Sequence, residues 1–172
     1  MNLYTTIVPA YRDMLTAMTG MLDKAQAHGG DALLKARIAD DMHPLSVQIR
    51  FVTNMPGEAM AKLAGDPMVK WEDDNPETLD EAKDRLEKVD AAFAAIDANS
   101  FVLPDAPIAL NLPNGMAFEM TAAEYVRDWA LPQFYFHVTA AYMILRNQGV
   151  PLGKADYVPH MRRYATAGPM AD

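Results

Sequence analysis

The stretch from Asp128 to Arg146, DWALPQFYFHVTAAYMILR, carries one acidic and one basic side chain in nineteen residues, each at an end. A surface helix keeps one polar face. Here Trp129, Leu131, Phe134, Tyr135, Phe136, Val138, Ala141, Tyr142, Met143, Ile144 and Leu145 cover nearly the whole circumference. Such a helix belongs at the centre of a helical fold, covered on most sides. Within the run His137 is the one side chain that titrates near neutral pH. Gln133, Thr139 and the hydroxyls of Tyr135 and Tyr142 are its polar company, so the chemistry is expected to gather there.

The rest of the chain supplies helices to cover this one. A first helix is expected from about Asn2 to Ala27, because Leu3, Ile7, Tyr11, Met14, Met18, Leu22 and Ala25 recur at three- and four-residue steps. Pro9 should kink it or set off a short first turn, and His28-Gly29-Gly30 stops it. A short helix, Asp31 to Ala39, precedes Asp40-Asp41-Met42-His43-Pro44, where an Asp cap and a Pro in the first turn start helix two. That helix runs to about Ala64 on the face of Leu45, Ile49, Val52, Ala59 and Leu63, with a bend expected at Pro56-Gly57. The box Thr78-Leu79-Asp80-Glu81 opens helix three, whose face is Leu79, Ala82, Leu86, Val89, Phe93 and Ile96.

Ile108–Leu112 and Met116–Met120 flank Pro113-Asn114-Gly115 and read as a β-hairpin with a two-residue Asn-Gly turn. Thr121 to Glu124 is a second capping box, which starts the central helix. Pro132 should kink or break that helix, and Gly149 and Pro151 close it. The tail from Leu152 to Asp172 has little periodicity. Residues 1–172 therefore read as one all-α domain of four helices, roughly 20 to 27 residues each, with a small hairpin before the last.

The net charge of −8 and the lack of a basic stripe argue against nucleic acid as a partner. The one long apolar stretch is interrupted by Pro132, Gln133 and His137, so no membrane span is expected, and the reading is a soluble cytoplasmic protein. With no cysteine, a metal would have to be held by His, Asp or Glu. The thirteen methionines read as adaptable core filler.

Three segments carry a resemblance: Asp41-Met-His-Pro-Leu45, Ala130-Leu-Pro-Gln-Phe-Tyr-Phe-His-Val-Thr-Ala-Ala-Tyr142, and Leu145-Arg-Asn-Gln-Gly-Val-Pro-Leu-Gly-Lys-Ala-Asp-Tyr157. Over essentially its whole length the chain resembles a bacterial domain-of-unknown-function family of the DinB/YfiT-like superfamily, a group associated with metal-dependent enzymes. The resemblance implies a DinB-like four-helix bundle in up-down-down-up order, often a homodimer, with the segment from Gly65 to Asn75 as the crossover.

In metal-binding members of that superfamily, a His of helix two and a His-x-x-x-His pair of the last helix hold one divalent ion. His43 and His137 match two of these positions, but Ala141 and Gln133 stand one turn to either side of His137. A shared helix face is what lets two imidazoles chelate, so the triad is incomplete. The candidate metal set is His43, His137 and Asp41, for zinc, nickel or manganese. On its own His43 reads rather as an exposed residue, and Asp41 as a helix-start acid favoured by the dipole.

The candidate pocket is His137, Gln133, Tyr142 and Gln48, for a small-molecule ligand. Lys154, Asp156 and Tyr157 stand out through the resemblance alone. Three functions follow: a bundle with a polar pocket at His137 and no complete catalytic metal site, a metal-dependent hydrolase or thiol transferase, and a non-catalytic dimeric binding or structural module. No phosphate loop, nucleophile elbow or HExxH motif is present, and whether the chain is an enzyme stays open at this stage.

Overall fold

The computed structural model describes residues 2–65, 71 and 74–167. Helix α1 spans Leu3–His28, with Asn2 as its N-cap accepting from the Thr5 amide. Pro9 lies inside α1 without ending it. The carbonyl it leaves unpaired is that of Thr5, which is exposed, so water can satisfy it. The segment expected as a short helix over Asp31 to Ala39 is a 3-10 helix, Gly30–Lys35, that buries Leu33 and Leu34. Asp31 then accepts from the Leu79 amide at 2.7 Å, pinning this turn to the start of the third helix.

Helix α2 spans Leu45–Leu63. The expected aspartate cap does not form: Pro44 is the N-cap, no side chain caps the helix, and Asp40 and Asp41 are exposed in the preceding turn. Pro44 supplies its carbonyl to the Val47 and Gln48 amides instead. The helix passes through Pro56 and Gly57, both buried. Most of the expected crossover, residues 66–70 with 72 and 73, lies outside the described residues.

Helix α3, Leu79–Phe93, keeps the expected face but is fifteen residues long, shorter than the 20 anticipated; Ile96 is buried beyond its end. Thr78 caps it through the Glu81 amide. The Glu81 carboxylate reaches the Glu77 amide, one residue before the position a reciprocal box would use. Arg85 is 2% exposed, lies over the Trp71 ring at 5.3 Å and pairs with Asp74 and Glu81.

The hairpin is formed by β1 (Pro107–Asn111) and β2 (Ala117–Thr121), antiparallel, with Asn111 opposite Ala117. Its turn is not the two-residue Asn-Gly type. The Leu112 amide bonds the Met116 carbonyl, the Gly115 amide bonds Leu112, and Gly115 alone has positive φ, at 88°. Pro113 explains this: its ring sets the negative φ of a type I turn, which closes with Gly115 in the left-handed region. Lys62 on α2 ties β1 down through the Ala109 carbonyl at 2.9 Å.

The Thr121 and Glu124 box forms with both halves. One α-turn, Ala122–Glu124, then a π-helical segment, Tyr125–Ala130, lead into helix α4, Leu131–Asn147. The wide π turn ends with the Leu131 amide on the Val126 carbonyl, just before Pro132. A locally widened helix relieves the clash a proline ring makes with the carbonyl four residues back, so the helix continues through a π turn where a kink or a break was expected.

Helix α1 packs on α3 and α4, and α2 packs on α3 and α4. At the centre Tyr11 meets Phe134 edge-on at 4.5 Å and Phe93 at 6.0 Å, joining α1, α4 and α3. Met14, Met18, Met21 and Met60 are buried around them, as core filler. Coverage of α4 is less complete than its composition suggests: Phe136 is 57% exposed and Met143 50%. The two lie seven residues apart, two helical turns, and so mark one open stripe. Among the described residues no helix is long and apolar enough to cross a membrane.

Candidate functional site

Helix α4 buries Phe134, Val138, Ala141 and Ile144 in the bundle, and that rotation carries His137 toward α2, where the residue is 8% exposed. On α2, Gln48 is buried at the first turn. Its Nε2 donates to the His43 carbonyl at 3.2 Å, and its Oε1 lies 2.7 Å from His137 Nδ1. The backbone carbonyl can only accept, so the amide nitrogen must face it and the amide oxygen must face the imidazole. His137 therefore donates from Nδ1, and its lone pair lies on Nε2.

Aromatic rings hold the imidazole on two sides. Phe51 stacks on it at 4.5 Å with planes 29° apart, and Phe136 meets it edge-on at 5.1 Å. Burial pushes the His137 pKa down to about 4, with nearby His43 adding a smaller push the same way. The imidazole is thus neutral at physiological pH, with one nitrogen committed to Gln48 and the other a free acceptor or metal-binding atom.

His43 itself is exposed, and its ring sits 5.7 Å from that of Phe51. Phe51 thus contacts both imidazoles. Spacing makes it a companion of Gln48, three residues earlier on one helix face, yet its apolar character reads as packing. Asp41 is exposed in the turn before α2. Gln133 is half-buried one turn before His137. Tyr142 is half-buried against Tyr157, the rings 5.6 Å apart. The expected set is therefore brought together in part: His137, Gln48 and the His43 backbone form one unit.

Among the described residues no three His, Cys, Asp or Glu side chains gather as a group able to hold a metal. The residues around His137 thus fall short of the three-ligand set a catalytic ion ordinarily takes. The segment Lys154 to Tyr157 forms one helical turn that fastens the tail: Asp156 pairs with Lys24 at 2.8 Å, and the Tyr157 hydroxyl bonds that of Thr139 at 2.8 Å.

No curated protein matches the chain. Among solved structures it is similar to a DinB family member protein from Shewanella denitrificans, with 29% identity and a TM-score of 0.79, covering 100% of this chain and 99% of that one. The architecture is accordingly the DinB-like helical bundle with a small antiparallel hairpin. Residues 3–158 match the family described as Domain of unknown function (DUF1993), and the chain belongs to that family.

Proposed function

We propose that this chain is a small-molecule-binding domain whose recognition group is the neutral imidazole of His137. The observation that supports it is the relay from the His43 carbonyl through Gln48 to His137 Nδ1, which leaves Nε2 as an acceptor of fixed direction. A ligand hydroxyl or N–H would donate to that nitrogen. Because burial keeps the imidazole uncharged at neutral pH, it would favour a neutral donor over an anion. The test follows the ring nitrogens of His137 by NMR while fragments bearing one O–H or N–H donor are added to about 1 mM, the weak-binding range. A saturable change at Nε2, absent in His137→Phe, supports the reading; no response across the set overturns it.

The rival is a metal-dependent hydrolase or thiol transferase, with zinc, nickel or manganese held by His137, His43 and Asp41. Its support is the uncommitted Nε2 and the contact of both imidazoles with Phe51. Elemental analysis of untagged protein after adding each ion, with His137→Ala and His43→Ala alongside, decides it. Near-unit occupancy lost in both variants would favour the enzyme.

A homodimer in a bacterial cytoplasm completes the proposal. The exposed Met116 and Phe118 of the hairpin, with Phe118 6.3 Å from Trp129, offer apolar surface for a second copy. Sedimentation over a range of concentrations tests this.

A further inference from the structure

Beside the His137 centre, α4 and the segment before α2 enclose an open groove of about 460 Å³. Ala140, 5% exposed, lies at its floor between Phe136 and Met143 on one face of α4, and Ile38 and Met42 complete the lining from the segment before α2. Tyr135 and Thr139, four residues apart on one face of α4, are its polar lining. Behind them the Thr139 hydroxyl shares a hydrogen bond with that of Tyr157 at 2.8 Å. None of the lining side chains is charged.

We infer that this groove is a second binding site, separate from His137, for an uncharged small molecule with an apolar body and one hydroxyl or carbonyl group. The volume lies within the range of about 300 to 1,000 Å³ typical of small-ligand sites, and the lining is almost wholly apolar, with Tyr135 and Thr139 adding only a little polar surface. Two hydroxyls that share one hydrogen bond still offer one donor and unused lone pairs, enough to anchor a ligand hydroxyl or carbonyl. A ligand charge would lose its hydration there with no opposite charge to meet it.

A stable interface buries about 800 Å² on each partner, so a second copy would have to extend well past the exposed parts of Phe136, Met143 and Ile38, whereas a small molecule needs only the groove.

The test uses the whole chain with its methionine methyls labelled with carbon-13 and 1-octanol as probe, with octanoate as the charged counterpart. The inference predicts saturable shifts of the Met42 and Met143 methyls with octanol and about tenfold weaker binding of octanoate, a difference of about 1.4 kcal/mol. Thr139→Val should weaken octanol about fivefold, the worth of one hydrogen bond. Ala140→Leu should abolish the shifts by filling the floor; if that variant does not fold, the isosteric Thr139→Val still decides.

No saturable shift overturns the site, and equal binding of octanol and octanoate overturns the ligand class. Methyl shifts that follow protein concentration without probe would assign the face to a second copy and overturn it as well. The proposal at His137 stands or falls separately, since it is read at the imidazole nitrogens.

Discussion

His137 gives its Nδ1 proton to Gln48 Oε1 across 2.7 Å, a hydrogen bond between the first turn of α2 and the middle of α4. Both side chains are buried, so the bond acts as a polar clamp between two packed helices and also fixes the imidazole tautomer.

Replacing Gln48 with Leu keeps much of the volume but leaves the His137 N–H without its acceptor. Stability should fall by about 1 to 3 kcal/mol, the cost of a buried donor left unpaired. Urea unfolding of the variant and parent at pH 7 measures it, and an unchanged midpoint would show that the clamp is not formed in solution.

The depressed pKa of His137 makes stability depend on pH in a stated direction. Folded, the imidazole titrates at about 4; unfolded, it titrates near its ordinary value of about 6.5. Between these values the unfolded chain binds the extra proton. The contribution is fully present above about pH 6.5, is lost as pH falls, and is gone below about 4, at most about 3 kcal/mol in all. The carboxylates titrate over part of the same range, so the difference between parent and His137→Asn isolates the effect. The two curves should diverge between pH 6.5 and 4, with the parent falling more steeply.

Arg85 is the buried cation among the described residues, paired with Asp74 and Glu81 and lying over Trp71. Arg85→Ala should cost about 3 kcal/mol, because it empties the buried space filled by the stem over Trp71, while the exposed carboxylates of Asp74 and Glu81 are left to water. Arg85→Met, which restores the stem without the charge, should recover a good part of that in thermal unfolding.

The helical framework was readable because its signals are local. Leu79 to Phe93 repeats at three and four residues, and Thr121 with Glu124 spells a capping box that forms as written. The misreadings came where one residue overrode a local rule. Pro113 turned the Asn-Gly signal into a three-residue turn, and Pro44 displaced the aspartates from the cap of α2. The open stripe of Phe136 and Met143 was hidden because composition shows that a helix is apolar, not how many neighbours reach it.

At the site, His137 stood out as a polar group in an apolar run, and Gln48 followed from its place one turn past His43. The direction of the relay could not be read, since it depends on a backbone carbonyl meeting a side chain from its own helix start. Tyr142 shares α4 with His137 but lies five residues on, which turns it well away around the helix and toward Tyr157.

The most direct test of the His137 account is nitrogen-15 NMR of the imidazole at pH 7, with the ring nitrogens assigned through their carbon-bound protons. The account predicts a protonated Nδ1 and a bare Nε2, with the bare nitrogen remaining so until the pH approaches 4. A proton on Nε2, or an imidazolium already at neutral pH, would contradict it and remove the acceptor on which the proposed binding rests.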